Sequence, residues 1–383
     1  MSTLAEIFQQ YGPAYRAKYG AKDGERMLPS HRRAMADIEQ CRTAVLGGHL
    51  YYCDHCQQWV YSYHSCQNRH CPLCQHQAGQ QWFERQREML LPTPYFMLTF
   101  TLPQQLRPLA RSNQKLIYNL LFRTSAAALQ ELAKDPRFVG GHIGMIGVLQ
   151  TWTRDMRYHP HIHFLVPAGG LSPDAQQWLP CKRKDFLVHV KPLSKLFRAK
   201  FRDELKKTGL FDQVAPQVWH KKWVVHCQAV GRGERALKYL AAYIFQVAIS
   251  NNRIVKVENG QVTFRYKNRH SRKFSYCTLP AEKFIQRFLQ HILPKGFIKV
   301  RYYGLFSPSY RPWLHQLRLL LTPPAPEPEP QPAPQSTTPR PEPTCSCPTC
   351  GQPMRLVATL KPCFIRPPPQ STASNLTAQT HIL

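Results

Sequence analysis

The chain has 383 residues, enough for two domains or for one large domain with appendages. Its 51 Lys and Arg face 22 Asp and Glu, and the resulting formal charge of +29 is spread along the whole length, as on a folded surface that meets nucleic acid. No apolar run is long enough to span a bilayer, and "MSTLAEIFQQYGPAYRAKYG" lacks the apolar core and cleavage site of a secretory signal. The expectation is a cytoplasmic, nucleoid-associated protein with no membrane partner, in which thirteen cysteines serve metals rather than cross-links.

Residues 1–40 read as polar helix, and "FERQREML" as a helix leaving the first cysteine cluster. "YFMLTFTLP" alternates Phe96, Leu98 and Phe100 against Thr99 and Thr101, the period of a strand. A helix is expected from Gln114 to Lys134, followed by adjacent strands in "HIGMIGVLQTWT" and "HPHIHFLVPAGG". "WHKKWVVHCQAV" reads as strand and "ERALKYLAAYIFQVA" as helix. "QVTFRYKNR" with "RKFSYCTLP" reads as a hairpin, and "PAEKFIQRFLQHIL" as an amphipathic helix. From 322 to 344 the composition collapses into Pro-rich "TPPAPEPEPQPAPQSTTPRPEPT", an extended linker that cannot pack a core. The expected divisions are a zinc-binding, DNA-binding domain over 1–90, a catalytic domain over 91–321, the linker over 322–344, and a small cysteine-containing tail over 345–383.

Six cysteines fall between Cys41 and Cys74. In "CDHCQQWVYSYHSCQNRHCPLC", Cys53 with Cys56 and Cys71 with Cys74 form two CxxC knuckles, which together complete one tetrahedral zinc site. Cys41, Cys66 and His70 are left for a second site, with His49 or His64 as a fourth donor. The tail offers another knuckle, Cys347 and Cys350, with Cys345 and Cys363 as candidate partners. Arg69, inside the turn before the second knuckle, and Arg253, in "AISNNRI", are candidate DNA contacts.

"YHPHIHFLV" puts His159, His161 and His163 at alternate positions, so a strand would project all three rings from one face. Burying three imidazoles together is costly unless something pairs with them, and a metal ion does so. Tyr239 and Tyr243, four apart on a helix, share a face.

Together these stretches resemble the rolling-circle transposases of the insertion-sequence-91 family, which are HUH endonucleases. "CRTAVLGGHLYYCDHC", "SCQNRHCPLCQ", "GVLQTWTRDMRYHPHIHFLVPAGG", "FRAKF", "YLAAYIFQVAISNNRI", "VTFRYK" and "RFLQHILPKGFIKVRYYG" carry the resemblance in order. It implies an α+β fold, an antiparallel sheet with flanking helices, preceded by a small zinc-binding domain. It also implies that His161 and His163 form the His-hydrophobe-His motif for a catalytic Mg2+ or Mn2+, and that Tyr239 and Tyr243 are nucleophiles. Imidazole pairs alone would favour zinc or manganese. The third metal ligand stays open between His159 and Gln246.

The implied activity is nicking and rejoining of single-stranded or extruded DNA through a 5′-phosphotyrosine, driving rolling-circle transposition. No GxxxxGK[ST] motor motif is present, so unwinding would fall to host replication or helicase factors. Two rival readings are an HUH replication initiator or relaxase, and a non-enzymatic zinc-dependent DNA-binding regulator.

Overall fold

The computed structural model describes residues 2–20, 27–74, 82–87, 89–232, 235, 237, 238, 240, 244, 247–268, 271, 273–322 and 345–363. The chain divides into two compact units, Met1–Glu39 with Gln67–Gln335, and Gln40–Cys66 with Ser336–Leu383. Residues 1–39 thus group with the larger unit. The physical reason is their apolar helical faces, Leu4, Ile7 and Phe8 on one helix and Ala34, Met35 and Ile38 on the next, which need a core to pack against.

In the smaller unit, β1 (Gly48–Cys53) and β2 (Gln58–Tyr63) form an antiparallel hairpin, with Cys53 opposite Gln58. The other edge of β1 pairs with Arg355–Leu360, which is β13 in chain order, with Gly48 opposite Leu360. The buried apolar cluster of this unit holds Cys53, Cys347 and Met354.

In the larger unit, α1 (Leu4–Gly20) and α2 (Pro29–Glu39) precede the main sheet. Its strands are β3 (Pro94–Thr101), β4 (Met145–Trp152), β5 (Tyr158–Pro167), β8 (Val225–Arg232) and β12 (Val300–Tyr303). They run in the order β12-β4-β5-β3-β8, every neighbour antiparallel. A short ribbon joins β6 (Gly169–Leu171) to β7 (Trp178–Pro180). A second sheet carries β9 (Ile254–Glu258), β10 (Gln261–Lys267) and β11 (Phe274–Pro280).

The helices are α3 (Arg107–Ser112), α4 (Gln114–Ala133), α5 (Val190–Lys206), α6 (Ala281–Leu289) and α7 (Arg311–Leu321). This is the α+β architecture expected, an antiparallel sheet with flanking helices. The Pro-rich stretch lies outside the described residues from 323 to 344. No helix among the described residues is long and apolar enough to cross a membrane.

Strand alternation gives the main sheet two faces. On one, Phe96, Leu98, Phe100, Leu149, Ile162 and Phe164 join Leu121, Phe122 and Leu129 of α4 and Phe197 and Phe201 of α5 in one core. Gly147 belongs to this face because a Cβ there would meet the Phe164 ring at 2.5 Å. On the other face, Tyr95, Met97, Ile146, Val148 and Leu165 form a second core. Leu237, Leu240 and Ile244, each in helical conformation, and Leu314 and Leu317 of α7 cover it.

Candidate functional site: a histidine face and a cysteine cluster

The second face of the sheet changes character along β5. After Leu165 come His163 and His161, opposite Thr99 and Thr101 of β3 and opposite Val148 and Gln150 of β4. The rings stand 4.8 Å apart, centroid to centroid, and both residues are buried. His161 Nδ1 donates to the His159 carbonyl at 2.6 Å. A carbonyl only accepts, so in the neutral ring Nε2 keeps the lone pair. That Nε2 lies 3.0 Å from Gln150 Oε1, and His163 Nε2 lies 3.3 Å from the same atom. His163 Nδ1 is held by Thr99 Oγ1 at 3.0 Å. With its oxygen toward the rings, Gln150 adds a third lone-pair donor; with the amide turned over, it donates to both rings. Burial holds His161 at about 4 and His163 at about 2, so both are neutral at pH 7 and able to bind a metal.

His159 is committed elsewhere. Arg107 Nη2 donates to its Nδ1 at 2.6 Å, which in the neutral ring leaves the proton on Nε2, and burial keeps the ring neutral with a pKa of about 3. Gln246, the other expected candidate for third ligand, lies outside the described residues, as do Tyr239 and Tyr243. Their described helical neighbours Leu237, Leu240 and Ile244 pack in the same core as Met97, Val148 and Leu165, on the face that carries the histidines. Lys299 Nζ donates to the Ile244 carbonyl at 2.7 Å and lies over the Trp152 ring, tying the end of that segment to β4.

A cavity of about 950 Å³ opens over this face, lined by His159, His161, His163 and Gln150 and rimmed by Arg154, Arg157, Lys267 and His226. Asp155 also lines it, but Arg157 pairs with that carboxylate at 2.6 Å. The rim is therefore cationic, suited to a phosphodiester backbone. Of the nearby tryptophans, Trp223 packs against Phe197 and Phe201, Trp219 stacks on Trp223, and Trp152 lines the cavity.

The two arginines expected to contact DNA hold backbone instead. Arg69 Nη1 donates to the Phe297 carbonyl at 2.6 Å and Nη2 to the Pro294 carbonyl at 3.0 Å. Arg253 donates to the carbonyls of Arg265 (3.0 Å), Ala248 (3.3 Å) and Arg154, and so fixes the loop that brings Arg154 to the cavity rim. A guanidinium with its donors spent on carbonyls has few left for phosphate.

The cysteines sort differently from the expected pairing of knuckles. Within the smaller unit, Cys53, Cys56, Cys347 and Cys350 bring their Sγ atoms within 4.8 Å of one another. Cys53 and Cys56, read with Cys71 and Cys74 as one site, thus group instead with the knuckle of the tail. His70 is half-buried and committed elsewhere: its Nε2 accepts from the Leu293 amide at 3.2 Å. Within the cysteine cluster, the neighbouring thiol of Cys350 and burial push Cys56 up to about 12, while the Cys350 and Thr349 amides bring Cys347 down to about 6. Four thiols around one point are a donor set that fits Zn2+. Sequence reasoning missed Gln150 and the joining of Cys53 and Cys56 to the tail.

Comparison with known proteins defines the class. A family described as "Putative transposase" matches residues 144–312, which include the histidine strand, and one described as "Transposase zinc-binding domain" matches residues 7–102. The "Putative transposase y4qJ" of Sinorhizobium fredii (strain NBRC 101917 / NGR234) is 41% identical over 328 residues, 80% of this chain and 81% of the relative. The "Transposase for insertion sequence element IS801" of Pseudomonas savastanoi pv. phaseolicola is 29% identical over 308 residues, 74% of this chain and 73% of the relative. No solved structure matches significantly. The chain belongs to the insertion-sequence-91 family of transposases, with an N-terminal zinc-binding domain, and DNA is its partner.

Proposed function

We propose that this transposase nicks and rejoins single-stranded DNA through tyrosine, as an HUH strand transferase that moves its element by rolling-circle transfer. The observation that carries the reading is the convergence of His161 Nε2, His163 Nε2 and the Gln150 amide beneath a cationic cavity. His161, His163 and Gln150 would hold a Mg2+ or Mn2+ ion, with Gln150 replacing His159 and Gln246 as third ligand. The ion would supply charge to the non-bridging oxygens of the scissile phosphate.

The remaining steps belong to this chain's own groups. Arg154, Arg157 and Lys267 draw the strand across the cavity. The phenol of Tyr239 or Tyr243 loses its proton and its oxygen attacks phosphorus in line. The P–O3′ bond breaks, the leaving oxygen takes up a proton, and the 5′ end stays esterified to the protein. Holding a phenolate at pH 7 against a pKa near 10 costs about 4 kcal/mol, so the nucleophile needs the positive charge that the site concentrates. The reverse attack by a 3′ hydroxyl reseals a strand without ATP. Two phenols four residues apart allow a second break while the first remains esterified.

The test is incubation of the purified protein with labelled single-stranded element ends and Mn2+. A covalent adduct is expected from the native chain and from each single Tyr→Phe variant, and none from Tyr239→Phe/Tyr243→Phe. His161→Ala and His163→Ala should abolish nicking, and Gln150→Ala should raise the Mn2+ concentration needed for half-maximal nicking on the order of 10–100-fold. Specific DNA binding without any adduct would mark a non-enzymatic regulator. An adduct that survives the double Phe substitution would remove the tyrosines from the chemistry.

A further inference from the structure

We infer that the C-terminal segment is the second half of a zinc site opened by the β1–β2 hairpin, with Cys53, Cys56, Cys347 and Cys350 holding one Zn2+ as a tetrathiolate. The proposal is independent of the strand-transfer reading. Its second half, Cys347 and Cys350, lies beyond the match to the zinc-binding family, which ends at residue 102.

The distances are those of a metal site. Cys53 Sγ is 3.7 Å from Cys350 Sγ, and Cys347 Sγ is 4.0 Å from Cys56 Sγ. A tetrahedron with Zn–S bonds of about 2.3 Å has S···S edges of about 3.8 Å, whereas a disulfide brings sulfurs to about 2.05 Å. All four cysteines are unbridged.

The two knuckles also share a backbone. In each, the residue after the second cysteine is left-handed, Gln57 at φ 52° and Gly351 at φ 75°. In the first, the Cys56 amide donates to Cys53 Sγ at 3.4 Å; in the second, the Gly351 amide closes onto the Cys347 carbonyl at 2.8 Å. Both turns fold their thiols back toward one point.

What surrounds the site depends on it. The buried cluster here is Cys53, Cys347 and Met354, so the ligands themselves are most of the core. The knuckle of the tail leads into β13, which adds to the free edge of β1. Cys347 is 291 residues from Cys56, so one ion would join the first part of the chain to the last. Without the tail, Cys53 and Cys56 are two thiolates of a four-ligand site, and β1 has an open edge.

The test uses the full-length protein. Metal analysis after desalting should give two zinc ions per chain, and Cys347→Ser/Cys350→Ser should give one. The same variant should expose Cys53 and Cys56 to iodoacetamide while Cys41, Cys66, Cys71 and Cys74 stay protected. Cys363→Ser, outside the tetrathiolate, should leave the zinc content of the native chain unchanged. In the native chain, rising chelator should unmask Cys53, Cys56, Cys347 and Cys350 in a single step, a readout that needs no variant. One zinc in the native protein, two in the double serine variant, or unmasking of Cys53 and Cys56 together with Cys71 and Cys74 would each overturn the inference.

Discussion

Strand β5 buries nine of its ten residues, whereas β2 and β13 bury none of theirs. The large sheet is held by apolar side chains on both faces: Phe100, Phe164 and Phe197 pack edge to face on one, and Met97, Val148 and Leu165 pack beneath helical leucines on the other. The small sheet has three short strands, exposed Trp59 and Tyr61, and a core made largely of thiols. Three strands without an apolar face are marginal in water. The contrast separates two ways of specifying a fold, by area removed from water and by coordination geometry. It also locates the chemistry: a sheet packed on both faces can hold two neutral imidazoles and an amide in register, while coordination can join segments that share almost no hydrophobic surface.

The same contrast explains what was legible in the sequence. His161 and His163 were legible because a strand's period of two is local. Gln150 was not, since it reaches them through the register that sets it opposite His161, and no local pattern encodes register between β4 and β5. A lone Gln in the buried run "MIGVLQTW" was the available signal. The CxxC knuckles were legible for a similar local reason, but which two share an ion is a matter of chain path, and Cys53 and Cys56 find their partners beyond the linker. Arg69 and Arg253 looked like DNA contacts because their charge is visible in sequence, while the carbonyls that occupy them are not.

Metal removal should have the largest effect and divide the two regions most sharply. Structural zinc supplies about 10–16 kcal/mol in small modules, so chelation is expected to release hydrogen-exchange protection in β1, β2 and β13 while β3, β4 and β5 stay protected. Retained protection in β1 after complete zinc loss would show that apolar packing holds the small sheet after all.

The reverse experiment acts on the large sheet. Phe164 is fully buried between β5 and the aromatic cluster around Phe100, and Phe164→Ala should cost about 3–5 kcal/mol in urea unfolding without altering the zinc content. A loss below about 1 kcal/mol would mean that this core collapses around the gap.

A smaller, pH-dependent effect belongs to the large unit as well. His291 is buried, donates through Nε2 to the Met156 carbonyl at 3.0 Å, and is held by burial at about 4. Its folded pKa is below the unfolded value of 6.5, so the unfolded chain takes up a proton that the folded chain refuses. Stability should therefore fall as pH drops from 6.5 toward 4, by up to about 1.4 kcal/mol per pH unit from this group. His291→Gln should flatten that slope in denaturant titrations across the window. An unchanged slope would assign the acid sensitivity to other histidines, such as half-buried His31, which desolvation also holds at about 4.

The smallest effect is expected where the small sheet carries its largest side chain. Trp59 is 56% exposed and touches Tyr52 with ring centroids 4.8 Å apart, both on the β1–β2 hairpin. If coordination rather than apolar burial holds this sheet, Trp59→Ala removes an exposed ring and should change stability by no more than about 0.5 kcal/mol. Zinc content and protection of Cys53 and Cys56 from alkylation should then match the native chain. A cross-strand aromatic pair contributes roughly 0.2–1 kcal/mol, so any loss much beyond that range, or faster zinc release to a chelator, would mean the ring is part of what closes the site. In that outcome the two regions would differ in degree of burial and not in the kind of force that holds them.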